Sequence, residues 1–555
     1  MPEDKQSTPV IRAIDFRSAF PFTHIFRAFR VAAHPSKLIL ALVAILFIYV
    51  AGRAMDWVWP TSYRAVSGEI GWFERSAAGR GEFSESVRSQ RELAQQMFDR
   101  SRRSALAFAP EALPGVFDKA KPEDLSFRDI KRITLARRDL AIKNAKDDFA
   151  KLQSPTGTDH VDLRNSIAKA YRDASGDVEN AAVNKGRGLF ATFLDYQLTQ
   201  VDRVSSGVVR VDFFAESGVF ASLYRLVFIA PAWAITKHPV FFVFLLALTL
   251  AVWALFGGAI SRIASVEVAR DEKISIRQAL RFSTGKFLSF ATAPLLPVLI
   301  FFAFGFLLSL AGLLLNLPFL GPIVVGAGFV VVLAMGVLLI CVILGSVGGF
   351  GLMYPTIATE GSDSFDAISR SFSYVFARPW RLGFYTFVAL VHMAVTYFFL
   401  RVLLWGAMLI AHGFTNLFVF RRSGDQTHVL ESMWPAPVNL GQLSYSVDNL
   451  ALSTGETIGA FFIACWVYLF LALLGAFVVS LFISSNTIIY YLMRFEVDAT
   501  ELDDVYLEPT DDDYDDLPES PPTPTPIQTP TPTPTPTPIP IPTPAPAAAA
   551  PSPII

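Results

Sequence analysis

Six stretches of the chain are too apolar, and most of them too long, for the core of a soluble domain, and they limit the fold more than any other feature. They are Leu38–Gly52, Pro239–Ile260, Phe287–Leu315, Ile323–Phe350, Leu382–Ala411 and Thr457–Leu492. A helix rises about 1.5 Å per residue and a bilayer's hydrocarbon core is about 30 Å thick, so roughly 20 apolar residues make one crossing. Lipid offers the backbone no hydrogen-bond partners, and unbroken apolar runs satisfy it as helices. The 555 residues are 52% hydrophobic and 17% charged, with 49 phenylalanines, the balance expected where lipid is the solvent. The sequence predicts an all-α, polytopic helical membrane protein with about six transmembrane helices.

The first run is short, and Lys37 and Arg53 at its ends are expected to snorkel toward water. It does not read as a cleaved signal peptide. The arm Met1–Lys37 precedes it, no small-x-small site follows, and Trp57 and Trp59 resemble interfacial anchors. Lys and Arg in short connections set the orientation. They cluster in the N-terminal arm (Arg12, Arg17, Arg27, Arg30, Lys37), after the second run (Arg262 to Lys286) and after the fourth (Arg370, Arg378, Arg381). Six crossings bring all three clusters to one side. The expected order is a cytoplasmic arm 1–37, a first span 38–55, an extracytoplasmic domain 56–237, a five-helix bundle 238–494 and a cytoplasmic tail 495–555. Both termini are then cytoplasmic.

Helical spacing of apolar residues in Phe83–Ala107, Leu125–Leu152, Val161–Asp173 and Ala181–Val201 predicts a helical bundle for the inserted domain. A short strand is expected at Gly207–Phe214. Ser217–Ile235 is expected to lie in the interface, broken at Pro231. The tail is acidic over Asp498–Asp516 and then built of Thr-Pro and Ile-Pro repeats. That composition buries too little to offset ordering entropy, so a disordered spacer is expected. The last apolar run would reach about 54 Å as a helix, well beyond one crossing. It is expected to continue past the inner surface, with Ser485 and Thr487 open to water and Tyr490 and Tyr491 near headgroups or the inner amphipathic helices.

Two of the basic loops share a construction. Glu272–Leu280 leads through Ser283 to Lys286, and Glu360–Ile368 leads through Ser371 to Arg378. At an offset of 88 (360 − 272) the Glu, the Ala-aliphatic pair and the Ser coincide. Each reads as an amphipathic helix on the inner surface, carrying Ile276, Ala279 and Leu280 in one copy and Phe365, Ile368 and Phe372 in the other. The motif positions are Glu272, Arg277, Arg281, Glu360, Asp363, Asp366, Arg370, Arg378 and Trp380. With Phe256–Ala264, these segments resemble an uncharacterised planctomycete-type family of polytopic bacterial membrane proteins. They are more distantly similar to the membrane domains attached to some glycerophosphodiester phosphodiesterases. The resemblance spans Trp233 to Tyr506. It implies a polytopic membrane protein and no activity, and it brings no catalytic residues, since no metal-binding His/Glu constellation is present.

His392, Arg401 and Asn486 are the polar positions inside apolar runs, and ionisable groups there are costly enough to ask for a reason. The bland reading ends the fifth helix near Leu400, so that Arg401 reaches outer headgroups. Gly345, Ser346, Gly348, Gly349 and Gly351 read as a close-packing surface rather than a phosphate cradle. The two cysteines sit in apolar runs and the seven histidines are scattered, so neither a disulfide framework nor a metal or cofactor site is expected. A net charge of −2 carries no nucleic-acid footprint. The expected partners are the bilayer and proteins on both faces, with the oligomeric state open. The leading expectation is a membrane scaffold or assembly protein and not an enzyme. A transporter or channel for a small neutral or lipid-like solute is the alternative, and a lipid enzyme comes last.

Overall fold

The computed structural model describes residues 20–60, 63–77, 79, 81–424, 427–437, 440, 445, 447 and 452–506. Arg12, Arg17 and the Thr/Pro-rich tail lie outside these residues. The described chain is helical without a strand, apart from isolated bridges at Ala65–Arg187 and Arg422–His428. Among the described residues seven helices are long and apolar enough to cross a membrane: Pro35–Val58, Val219–Lys237, Pro239–Arg270, Leu296–Leu314, Phe329–Glu360, Pro379–Asn416 and Gly455–Asp498. This is a multi-pass helical membrane protein.

Six of the seven fall on the expected runs, four enclosing them whole while Leu296–Leu314 and Phe329–Glu360 begin later than their runs; Val219–Lys237 is the addition. Proline at 231 does not break it. A π-helical turn, Arg225–Ile229, ends two residues before the proline, so the chain absorbs the missing amide and stays helical to Lys237. The third run is cut at Pro294 and Pro297, and its long helix begins only at Leu296. A short helix, Leu320–Ala327, separates the third from the fourth, entered through Phe319 at φ 68°. The strand expected at Gly207–Phe214 is absent. Leu189–Val209 is helical, and Val211 at φ 57° turns the chain back, with the Asp212 amide donating to the Gly207 carbonyl at 2.8 Å. No neighbouring strand exists to reward an extended backbone there.

Phe83–Ala112, Phe127–Ala150 and Gly157–Asn184 form an antiparallel bundle around Ala105, Ala109, Ile130, Ile133 and Ala181. Ser126 with Asp129, and Thr156 with Asp159, form capping boxes that start the second and third of these helices. Leu189–Val209 then carries the domain onto the spans. Asp56, on the first long helix, accepts the Phe190 and Ala191 amides at 2.8 Å each and so caps that helix from a distance. Gly188 lies against the Asp56 carboxylate, where a Cβ would collide.

Within the spanning bundle the first helix packs on the last, and both pack on Pro239–Arg270 through Leu40, Ala41, Ala259, Ile263, Ala476 and Ile483. Lys37 does not snorkel. It is fully buried and ion-paired at 2.6 Å with Glu267, near the end of Pro239–Arg270, and that partner offsets the cost of burying the charge. In Leu296–Leu314 Pro297 is the one buried residue, and large side chains such as Phe302, Phe306 and Leu313 stay exposed, a surface suited to lipid.

The two amphipathic elements are real helices, Ile276–Gly285 and Ser364–Ala377. Each follows a long helix ended by a left-handed residue, Asp271 at φ 55° and Gly361 at φ 64°. Each is then capped anew, by Ser275 and by Asp363. The caps are 88 positions apart (363 − 275) but the left-handed residues are 90 apart (361 − 271). Glu272 and Glu360 are therefore not equivalent: Glu360 closes a helix, whereas Glu272 sits exposed in a linker two residues longer.

The last helix runs unbroken from Thr454 to Asp498, past Arg494. Its inner part is not open to water as expected. Ser484, Ser485 and Thr487 are fully buried, because the amphipathic helices and the N-terminal segment wrap this end. Tyr490 packs on Tyr374 of the second amphipathic helix, ring centroids 5.9 Å apart.

Candidate functional site

The ends of Pro239–Arg270, Phe329–Glu360 and Gly455–Asp498 meet the starts of Pro35–Val58 and Pro379–Asn416, and charged side chains concentrate where they meet. Glu360 lies at the centre. It accepts from Tyr490 at 2.5 Å and pairs with Arg370 at 2.8 Å and Arg494 at 3.4 Å. Tyr374 donates to Asp498 at 2.5 Å, and Arg370 also reaches Asp366 at 3.4 Å. Beside this group Glu496 takes Tyr385 at 2.5 Å and Arg381 at 2.7 Å. Arg262 donates to the Ala358 carbonyl at 2.8 Å and stacks over Phe282 at 4.5 Å, and Tyr491 donates to the Ser265 carbonyl at 3.1 Å. Asp271 holds Arg27 and Arg30. Burial, the leading cause, pushes the Tyr374 hydroxyl well above its ordinary pKa, and the adjacent Asp498 adds to this. It stays a donor.

Chemically this is a clasp. Cations and carboxylates from neighbouring helices pair with one another, and Tyr374, Tyr385 and Tyr490 are each fixed as a donor to a carboxylate, while Tyr491 donates to a backbone carbonyl. A nucleophile with an adjacent base is not assembled there. Among the described residues no group of three or more His, Cys, Asp and Glu side chains could hold a metal ion.

At the other end of the bundle the domain is held by two buried polar contacts. Arg401 is buried and pairs with Asp202 at 2.6 Å, with the Tyr397 hydroxyl at 2.6 Å and the Leu440 carbonyl at 3.2 Å as further partners. The helix does not end near Leu400; Pro379–Asn416 is continuous, and Arg401 is held by protein rather than reaching headgroups. Burial pushes the Asp202 carboxyl above its ordinary pKa, and Arg401 only partly opposes this. The second contact is Glu69, which accepts from Trp233 at 3.2 Å and from the Val66 amide at 3.0 Å and meets His238 at 2.9 Å. Burial alone would raise this carboxyl, but hydrogen bonds from His238, Val66 and Trp233 outweigh it and hold the pKa below 4.5.

The residues singled out from the sequence divide cleanly. Glu360, Asp366 and Arg370 meet in the clasp, and Asp363 caps its helix, accepting the Asp366 amide at 2.9 Å. Glu272, Arg277, Arg281, Arg378 and Trp380 are exposed. His392 is half-buried against Phe26, ring centroids 5.3 Å apart, and does not approach Arg401. Asn486 donates to its own helix at Phe482, 2.9 Å away, and packs against Gly351. The glycines of the fourth run receive the amphipathic helix: Gly345 faces Phe372, Gly348 faces Val375 and Gly349 faces Ser371. Sequence reasoning missed Tyr374, Arg494, Glu496 and Asp498, and gave Tyr490 a place near the amphipathic helices but no role in this group. The one signal for them was the sudden Arg-Phe-Glu-Val-Asp alternation of charge that closes the last apolar run.

Compared with protein-family models, curated proteins and solved structures, the chain shows no match to any of them. Function is therefore read from geometry alone.

Proposed function

We propose that this protein is a membrane scaffold or assembly protein, with the helical domain 56–237 outside the cell membrane, its last helix Val219–Lys237 lying along the outer interface rather than crossing, and both termini inside. The observation that carries the reading is the Asp202–Arg401 pair. The arginine of the fifth apolar run is spent on holding the domain to the bundle, where a transport path or a reactive centre would need it free. The clustering of Lys and Arg in the short connections supports the orientation. In this reading the clasp keeps the inner helices rigid, so that partners on the two faces meet one fixed body. The reading assigns the protein no catalysis and no cofactor. Reporter fusions at Ser154 and Thr510 test the orientation: opposite compartments are expected. Affinity purification of the cross-linked full chain from its native membrane should recover one stoichiometric partner, and repeated recovery of the chain alone would sink the scaffold reading.

One observation favours the alternative, a transporter or channel for a small neutral or lipid-like solute. The hydroxyls of Ser484 and Ser485 are buried without a protein partner. Flux of a neutral solute across liposomes holding the purified protein, lost in Ser484→Ala/Ser485→Ala, would favour that reading.

A further inference from the structure

A groove of about 270 Å³ opens where Pro379–Asn416 begins, walled by Phe20, Phe22, Trp380, Phe384 and Tyr385, with Arg381 beside them. Its aromatic wall is packed in place: Phe22 meets Phe384 edge-on with centroids 5.6 Å apart, and Phe20 meets Phe22 at 6.0 Å. Trp380 is 90% exposed. From it an exposed apolar stripe continues up one face of the helix through Phe384, Phe387, Val391 and Val395. Spacings of three and four residues keep these side chains in line. A stripe of this kind on a helix apolar enough to cross a membrane faces acyl chains, so the groove opens directly onto lipid.

Charge selects among lipids. Arg381 is matched by Glu496 at 2.7 Å. Arg378, one residue before the helix, is exposed and has no carboxylate within ion-pairing distance among the described residues. Arg378 stands outside the wall itself, but its charge reaches the Tyr385 hydroxyl of that wall, so one cation without a described carboxylate partner borders the groove. A zwitterionic headgroup brings its own cation along with its phosphate, whereas an anionic headgroup supplies the missing charge alone. The volume falls just under the roughly 300–1,000 Å³ of closed small-molecule pockets. It admits a headgroup and the glycerol region and leaves the chains in the bilayer.

The geometry points to a binding site for one anionic phospholipid. Its phosphate sits between Arg378 and Arg381, its glycerol region lies over Trp380, and a chain follows the Phe384–Phe387 stripe. This requires only that the chain sits in a bilayer and is independent of the scaffold reading.

Quenching of tryptophan fluorescence by brominated lipids tests it on the full chain in vesicles. The Trp380 signal is the difference between the parent and Trp380→Phe. Dibrominated phosphatidylglycerol should half-quench that signal at about five-fold lower mole fraction than dibrominated phosphatidylcholine, the ratio expected for one surface charge. Arg378→Gln should bring the ratio to about one, and Arg378→Lys should keep it. Both replace an exposed side chain, so the folded protein is retained in each. Equal quenching by the two lipids in the parent overturns the proposal. So does absence of quenching by either, which would mean that protein or water fills the groove, and so does a ratio unchanged in Arg378→Gln.

Discussion

Arg401 and Asp202 are separated by 199 positions and meet at 2.6 Å with the arginine buried. Taking both charges out of water costs about as much as their attraction returns, but removing one partner strands the other. Arg401→Leu should therefore lower the unfolding free energy by about 3 kcal/mol. The double variant Asp202→Leu/Arg401→Leu should lose less than that single one, as read from thermal unfolding in mild detergent. An equal or larger loss in the double would mean that the pair does not bind the domain. Glu69 gives a pH dependence of known sign. Its folded pKa is held below the unfolded 4.5, so its contribution is present above pH 4.5 and is lost as pH falls through the folded value. Glu69→Gln should be less stable than the parent at pH 7, by about 1–3 kcal/mol. It should also lose less stability than the parent between pH 5 and pH 3. Arg401 was visible in the sequence because charge is rare in an apolar run. Asp202 was not, since in a polar domain one carboxylate resembles the next.

Two serines illustrate what an element can conceal. Both Ser283 and Ser371 are fully buried on their amphipathic helices, against Gly258 and Gly349 of the preceding long helices. Their work differs. Trp253–Gly257 is a π-helical turn, and Ser283 lies 2.7 and 2.6 Å from the Ala254 and Leu255 carbonyl oxygens that this turn leaves available. Ser371 donates to Ala367 of its own helix at 2.6 Å. Ser283→Ala should cost about 1–2 kcal/mol, since it strands buried acceptors, and Ser371→Ala well under 1 kcal/mol. Equal losses in thermal unfolding would refute the assignment. Helical periodicity made the amphipathic elements legible, and the Ala and Ser of each copy stand at the same distance from its helix cap. The glutamates are not equivalent, and an identity match at a constant offset cannot see that one linker is two residues longer. The π turns and the helical path through Pro231 left no mark in periodicity, because they change hydrogen bonding without changing which residues are apolar.

At the scale of the whole molecule, the runs long enough to cross a membrane were legible, while their ends and the seventh candidate were not. Apolar content reports where a helix can sit in lipid, but packing by distant segments decides where it stops. The end of the last helix shows this. Beyond Asp498 the chain turns back, the Asp504 side chain and carbonyl take Arg494 at 2.6 and 2.8 Å, and Val505 is buried. Truncation after Tyr506 should leave membrane abundance and elution in detergent unchanged. Truncation after Ala499 should lower stability by about 1–3 kcal/mol through loss of the Arg494 contacts. Equal abundance and melting for both truncations would show that residues 500–505 add nothing.

The first long helix is seated on the last, and the Ser480 hydroxyl donates to the Ala32 carbonyl across 448 positions. Ribosomes add about 5–20 residues per second, so roughly 20–90 s pass between the making of those two ends. For that interval the N-terminal helix has entered its membrane and has no mate for this face. A message cut short before the last helix therefore yields a protein whose first helix keeps Pro239–Arg270 as a neighbour but whose other face waits for a partner that is never made.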